Sequence, residues 1–114
     1  MYATTEEATT IYESMLKGEA VSETQQYELA GYILTEISKV YNELNWVVQF
    51  HLGPTRNNNS KMLEVAGTDS GFDSVGEQLS AKTLNAMLDH LEEHNALSDT
   101  IIYPNNGNDH LMVQ

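Results

Sequence analysis

Trp46-Val47-Val48-Gln49-Phe50-His51-Leu52-Gly53-Pro54 is a short apolar run that ends at a Gly-Pro pair. The run is rich in β-branched and aromatic residues, and its length is that of one strand. Because nearly continuous apolar runs are typical of sheets covered on both faces, we predict a buried strand of a parallel sheet.

The segments that follow this strand complete a β-loop-α-β unit. Ser80 is placed to cap a helix that ends near Asn95, and 100–103 reads Thr-Ile-Ile-Tyr, a second predicted strand. Two strands joined through a helix pair in parallel, with a right-handed crossover. Residues 53–79 show no strong period, so we expect a long loop there. A loop of that length inside a compact domain is either functional or evidence against the assignment of its elements.

Two helices are predicted before the strand. The first covers about Thr5–Lys17 and stops at Gly18. The second begins after Ser22, which forms a capping box with Gln25. Their apolar positions recur at helical spacing and are Ala8, Ile11, Tyr12, Met15 and Leu16, then Leu29, Ile33, Leu34, Ile37, Val40, Tyr41 and Leu44. We therefore expect one α/β domain, mostly helical, with a helical hairpin at 1–45 and a strand-loop-helix-strand piece at 46–114.

Composition excludes several classes of function. A chain of 114 residues with 40% hydrophobic residues can form one modest core, and its net charge of −12 repels nucleic acid and anionic membrane surfaces. Because the chain has no cysteine, disulfides and thiolate chemistry are excluded. No apolar run approaches a membrane span or a secretory leader, so a cytoplasmic location is expected.

Charge is unevenly distributed around the strand. Residues 44–63 contain no acidic side chain, although Arg56 and Lys61 both lie there. A buried strand excludes carboxylates in any case, but it does not account for the polar half of this window. Local anion binding and simple strand burial both remain open on this pattern alone.

His51 and Arg56 are the candidate site residues that this window contains. His51 lies near the carboxyl end of the predicted strand, where ligands and catalytic groups gather in parallel α/β folds, although a hydrogen-bonded core histidine is the simpler alternative. Arg56 follows five residues later, beyond the Gly53-Pro54 turn. An imidazole and a guanidinium fork could share one pocket for a carboxylate.

Other polar clusters favour structural roles. Asn57-Asn58-Asn59 is typical of turns, and Asp69 and Asp73 lack the further oxygen ligands of a calcium loop. His90 and His94 have the helical spacing of a zinc-binding pair, but they lie in the polar end of an amphipathic helix without a nearby HExxH pattern.

The strand and its turn resemble the uronate isomerase (glucuronate isomerase) family. Residues 46–59 are similar to that family's strand ending QLHIG followed by ALRNNN, with the Arg-Asn-Asn-Asn at 56–59 identical. Gly71-Phe72-Asp73-Ser74-Val75-Gly76 is similar to its TGFDSIG, and Thr100-Ile101-Ile102-Tyr103 to its strand ending TILY. The resemblance covers residues 20 to 106.

The resemblance implies a fragment of a (β/α)8 barrel of the amidohydrolase type, whose enzymes interconvert hexuronates and ketouronates by proton transfer between C2 and C1. It implies D-glucuronate to D-fructuronate or D-galacturonate to D-tagaturonate as the reaction, with the first two helices as an insertion before the strand. We accordingly predict His51 as a catalytic residue near the metal at the barrel mouth. Arg56 and Asn58 are the predicted substrate-binding residues, with Arg56 at the C6 carboxylate.

The departures from the family pattern concern the metal. The family's HxH pair on the first barrel strand and its aspartate on the last strand are absent, so we predict no metal in this chain, a zinc-like divalent metal in a full-length parent, and no activity for the chain alone. Pro54 and Thr55 replace small residues at the turn. The expected partners are a uronate substrate and either a second copy or the remainder of the barrel.

Two alternatives belong to other classes of protein. The chain could be a small acidic interaction module whose long second helix binds a partner. It could also be a metal-binding protein that uses His90, His94 or His110.

Overall fold

The computed structural model describes residues 2–76 and 79–114. The chain divides into two compact units, Met1–Trp46 with His90–Ser98, and Val47–Asp89 with Asp99–Gln114. The elements in chain order are α1 Thr5–Leu16, α2 Glu23–Glu43, β1 Val48–Leu52, β2 Pro54–Thr55, α3 Ser60–Ala66, β3 Ser74–Val75, α4 Ala81–Glu93, β4 Thr100–Pro104 and α5 Asp109–Met112.

Both helices of the first unit begin at capping boxes. The Ser22 hydroxyl accepts a hydrogen bond from the Gln25 backbone N–H, and the Gln25 side chain accepts one from the Ser22 backbone N–H, as predicted. Thr4 and Glu7 form the same reciprocal pair at the start of α1. These bonds satisfy backbone N–H groups that have no partner inside a helix. α1 ends with Lys17 and a Gly18 of φ +72°, so the predicted glycine stop is confirmed.

The core of the first unit lies between α1 and α2. Ala8, Ile11 and Leu29 are buried, and Ala3, Val21 and Tyr32 pack around them. Beyond this cluster, most of the apolar positions predicted on the two helices are exposed to solvent. The exposed members are Tyr12, Met15, Leu16, Ile33, Ile37, Val40 and Leu44, with exposures from 41% to 70%.

The second unit is organised by the parallel pairing of β1 with β4, which confirms the predicted arrangement. The register pairs Val48 with Thr100 and Leu52 with Pro104. The predicted full burial of the strand is wrong, because residues of β1 alternate between half-buried and exposed. Each strand pairs with one neighbour among the described residues and so has one unpaired edge, and alternate side chains of both strands are exposed.

The segment predicted as a long loop contains ordered structure. β2 and β3 form an antiparallel ribbon that pairs Pro54 with Val75 and Thr55 with Ser74. Backbone hydrogen bonds extend it on both sides, from Gly76 N to Gly53 O at 2.8 Å and from Asn58 N to Phe72 O at 2.9 Å. The helix α3 within the segment escaped prediction because its seven residues are too few to display a helical period.

The remaining elements follow the predicted order. Ser80 accepts a hydrogen bond from the Thr83 backbone N–H at 3.3 Å and so caps α4, as predicted. α5 was not predicted, and its Asp109 is fully buried. Both carboxylate oxygens of Asp109 accept from the Leu79 backbone N–H, at 3.1 and 3.2 Å.

Among the helices of the described residues, none combines the length and the apolar character needed to cross a membrane.

Gly76 is required by the close approach of the ribbon strands. A Cβ built on Gly76 would overlap the carbonyl oxygen of Gly53, whereas a Cβ on Gly107 meets nothing within 4 Å. We expect Gly76→Ala to lower the opening free energy of the ribbon by about 1–3 kcal/mol. Hydrogen exchange at the Asn58 amide measures this loss, with Gly107→Ala as the matched control. Equal protection in the two variants would contradict the predicted role of Gly76.

Candidate functional site

A cleft of about 410 Å³ lies at the carboxyl ends of β1 and β4, within the second unit. This is the end at which parallel strands present ligand-binding groups. Its lining includes both His51 and Arg56, together with Leu52, Pro54, Asp73, Ser74, Val75, Tyr103, Pro104 and Asn105. The cleft therefore brings together the imidazole and the guanidinium that were predicted to share a pocket.

His51 is exposed and stacks on Tyr103. The two residues face each other in the parallel register, and their ring centroids are 4.7 Å apart with an interplanar angle of 23°. Offset stacking restricts the orientation of both rings. Within the described residues, the strand pairing thus presents the imidazole to the cleft and not to a hydrophobic core.

Arg56 is held by a carboxylate of the same unit. Its Nη1 donates a hydrogen bond to Asp73 Oδ2 at 2.7 Å, and the Arg56 side chain remains 53% exposed. Because Asp73 directly precedes β3, and Arg56 directly follows β2, the antiparallel ribbon itself brings the two together. The predicted substrate-binding arginine is therefore already paired within the chain.

Asp73 also contacts the backbone of the turn. Its Oδ1 accepts a hydrogen bond from the Asn57 N–H at 3.0 Å. The Asn57 amide first, and then the Arg56 guanidinium, lower the pKa of the Asp73 carboxyl below its ordinary value. Both stabilise the ionised form, so the Arg56–Asp73 pair persists to a lower pH than an ordinary carboxyl would allow.

The three asparagines of 57–59 have separate structural roles. Asn57 adopts a left-handed conformation with φ +55°, and the side chain of Asn59 caps α3 by accepting from the Met62 N–H. Asn58 Nδ2 donates to the Thr55 carbonyl at 2.7 Å and also contacts the Ser74 hydroxyl. Asn58 thus joins β2 to β3, and its predicted substrate-binding role stays a prediction.

His90 and His94 lie in the first unit, where they contact each other and other residues of that unit. His90 stacks on Tyr2 at 3.5 Å and its Nε2 is 3.0 Å from the Thr35 hydroxyl, while His94 Nδ1 is 2.7 Å from the His90 carbonyl. His90 is therefore partly buried, and its predicted place on a solvated helix end is wrong. Burial, followed by the neighbouring His94, lowers the pKa of His90.

No group of three or more His, Cys, Asp or Glu side chains able to hold a metal ion is found within residues 2–76 and 79–114. His110 is exposed on α5, and the carboxylate of Asp73 is occupied by Asn57 and Arg56. These contacts leave the calcium and histidine-pair hypotheses without a complete ligand set in the described part of the chain.

Tyr103, Asp73 and Asn105 line the cleft but were not among the predicted site residues. Tyr103 could have been found from its place at the end of the second strand, opposite His51 in a parallel register. Asp73 lies in the 71–76 segment that carries the family resemblance. Asp73 lies 17 positions from Arg56 in the sequence, and no sequence pattern links the two residues.

Stacking between His51 and Tyr103 has an NMR signature. We expect Tyr103→Ala to move the His51 ring-proton resonances downfield, because the ring current of the tyrosine is lost. Tyr103→Phe preserves the aromatic ring and is expected to leave these resonances near their original positions. Unchanged His51 resonances in Tyr103→Ala would contradict the stacking.

The pKa of Asp73 reports on its two donors. Arg56→Gln removes the cation, and we expect the pKa of Asp73 to rise toward its ordinary value while remaining below it, because the Asn57 amide still donates. An NMR titration of the Asp73 carboxyl carbon measures the change, with Lys82→Gln as a control of equal charge. A lower pKa in Arg56→Gln would contradict the ion pair.

Known proteins resemble this chain along nearly its whole length. A uronate isomerase of Shouchella clausii is 41% identical over 100 residues, which are 88% of this chain and 21% of that protein. A uronate isomerase of Bacillus subtilis is 37% identical over 110 residues, 96% of this chain and 23% of that protein. The chain therefore spans about a fifth to a quarter of the length of these relatives.

A solved structure shows the same fold. The crystal structure of a uronate isomerase from Thermotoga maritima superimposes with a TM-score of 0.82 at 22% identity, covering 96% of this chain and 24% of that one. The family model described as glucuronate isomerase matches residues 1–114. On this match, which extends over the full length of the sequence, the chain belongs to the glucuronate isomerase family.

Proposed function

We propose that this chain forms the carboxylate-recognising part of an isomerase that interconverts hexuronates and ketouronates. The observation that carries the proposal is the presence of His51 and Arg56 in one cleft at the carboxyl ends of two parallel strands. D-glucuronate to D-fructuronate and D-galacturonate to D-tagaturonate are the proposed reactions. The complete fold would be a (β/α)8 barrel of the amidohydrolase type, to which β1, α4 and β4 contribute one β-α-β unit.

Arg56 is proposed to bind the C6 carboxylate of the uronate. A guanidinium presents five N–H donors in a planar fork that matches a carboxylate bidentately. In the described residues one of these donors is used, by Asp73, and half of the side chain is exposed. Binding at C6 would fix the far end of the sugar and so align C1 and C2 for reaction.

His51 is proposed to act at the reacting end of the substrate. Imidazole is the side chain best suited to hold or transfer a proton near neutral pH. Its stacking on Tyr103 limits the orientations of the ring. Asn58 stands beside Arg56 on the ribbon and is proposed as a further substrate contact through its amide oxygen, since its nitrogen already donates to Thr55.

Among the described residues there is no complete ligand set for the divalent metal that the family resemblance implies. His51 is the single histidine lining the cleft, and no group of three suitable side chains exists in 2–76 and 79–114. We therefore propose that a metal would be held mainly by residues of the longer enzyme. On this basis the 114-residue chain alone is expected to be inactive.

The exposed apolar side chains support a need for further protein. Ile33, Ile37 and Val40 on α2 and Ile101 on β4 are each 41% to 50% exposed, and both strands of the parallel sheet have an unpaired edge in the described residues. Such edges and patches favour either self-association or coverage by the rest of a barrel. The same side chains would serve the alternative function, an acidic interaction module, which predicts a stable monomer without affinity for uronates.

A segment exchange tests the proposed function. The stretch of the Bacillus subtilis uronate isomerase that matches this chain is replaced by the chain itself, and isomerisation of D-glucuronate is assayed. We expect Arg56→Ala to lower kcat/KM by roughly 10- to 100-fold, because the charged hydrogen bonds between the guanidinium and the substrate carboxylate are lost.

Lys82→Ala is the matched control, because it removes an exposed positive charge from the same unit without touching the cleft. An exchanged enzyme in which Arg56→Ala and Lys82→Ala have equal kcat/KM would remove Arg56 from the substrate site. Isomerisation by the 114-residue chain alone would contradict the expectation that it is inactive.

A further inference from the structure

We propose that Asp73 is a positioning residue for the substrate carboxylate, acting through Arg56. This inference rests on the proposed function, because it assumes that Arg56 meets a uronate. It adds to that function a second residue, located 17 positions away in the sequence, on which the binding of the carboxylate depends.

The two oxygens of Asp73 have different partners, so most N–H groups of Arg56 remain available to bind a substrate carboxylate. Oδ2 accepts from Arg56 Nη1 at 2.7 Å, whereas Oδ1 accepts from the Asn57 backbone N–H at 3.0 Å. Asp73 therefore does not form the fork-to-fork pair that would occupy a whole edge of the guanidinium. With a single N–H engaged, at least one edge with two donors remains for another carboxylate.

Asp73 is itself fixed to the backbone, which makes it an effective anchor. The bond from Asn57 ties its carboxylate to the turn, and the β2–β3 pairing places Ser74 opposite Thr55. Asp73 is only 22% exposed, compared with 53% for Arg56. The more buried and shorter side chain thus orients the longer and more exposed one.

A pre-oriented arginine binds a carboxylate more tightly than a free one. An arginine that is disordered before binding must lose its rotamer freedom when the substrate arrives. The ion pair with Asp73 removes part of that freedom in advance. We expect its loss to weaken uronate binding by roughly three- to tenfold.

The orientation of Arg56 can be measured directly in the 114-residue chain. Arg56 is the only arginine of the sequence, so its guanidinium NMR signals need no assignment among several arginines. We expect slow rotation of the guanidinium in the original chain and faster rotation in Asp73→Asn. Glu64→Gln, an equal charge change on the exposed face of α3, is expected to leave the signals unchanged.

Rotation that is equally fast in the original chain and in Asp73→Asn would overturn the proposal. So would equal acceleration in Glu64→Gln, because the effect would then be one of net charge. These measurements need no substrate and do not depend on the activity of an exchanged enzyme.

Steady-state kinetics of variants of the exchanged enzyme distinguish a failure of this inference from a failure of the proposed function. We expect Asp73→Asn to raise KM for D-glucuronate roughly three- to tenfold, with a smaller change in kcat, and to have no further effect on KM when combined with Arg56→Ala. Asp73→Glu is expected to restore part of the binding.

An unchanged kcat/KM for D-glucuronate in Arg56→Ala would refute the proposed binding of substrate by Arg56, on which this inference rests. An elevated KM in Arg56→Ala together with an unchanged KM in Asp73→Asn would refute only the positioning role. The positioning role would also be refuted if Asp73→Asn raised KM equally in the presence of Arg56 and in the Arg56→Ala background. Asp73 would then affect substrate binding independently of Arg56.

Discussion

The parallel pairing of β1 with β4 is the contact on which the candidate site depends. Its register sets His51 opposite Tyr103, and it brings the carboxyl ends of both strands to one edge. Further cleft residues follow each strand there, Pro54 at the start of β2 and Asn105 directly after β4. A shift of one residue in this register would direct the two rings to opposite faces of the sheet.

The β2–β3 ribbon gives the site its charged side. Two residue pairs and flanking backbone hydrogen bonds are enough to bring Arg56 to Asp73, and Gly76 permits the required approach to Gly53. The ribbon thus orders a glycine- and asparagine-rich segment and holds Arg56 and Asp73 at ion-pair distance. Its contribution is geometric, since an exposed ion pair by itself adds little to stability.

The distribution of exposed apolar side chains agrees with the family comparison. Helices that bury only Ala8, Ile11 and Leu29 in their shared core leave most of their apolar positions in contact with solvent. The relatives that the chain matches are about four times as long as this chain, since the matched residues make up 21% to 24% of them. A periodic apolar pattern shows which face of a helix is suited to burial, but not which chain segment covers it.

Local chemistry in the sequence was sufficient to predict the starts of α1, α2 and α4, the two parallel strands and the place of His51 near a strand end. Capping at Ser22 depends on residues three apart, and strand preference depends on neighbouring side chains, so both are visible without the fold. The ion pair of Arg56 with Asp73, the stacking of Tyr103 on His51 and the burial of Asp109 were decided only by tertiary structure. The ion pair and the stacked pair join residues that are 17 and 52 positions apart. No local sequence pattern specifies which distant groups the strand pairing brings together.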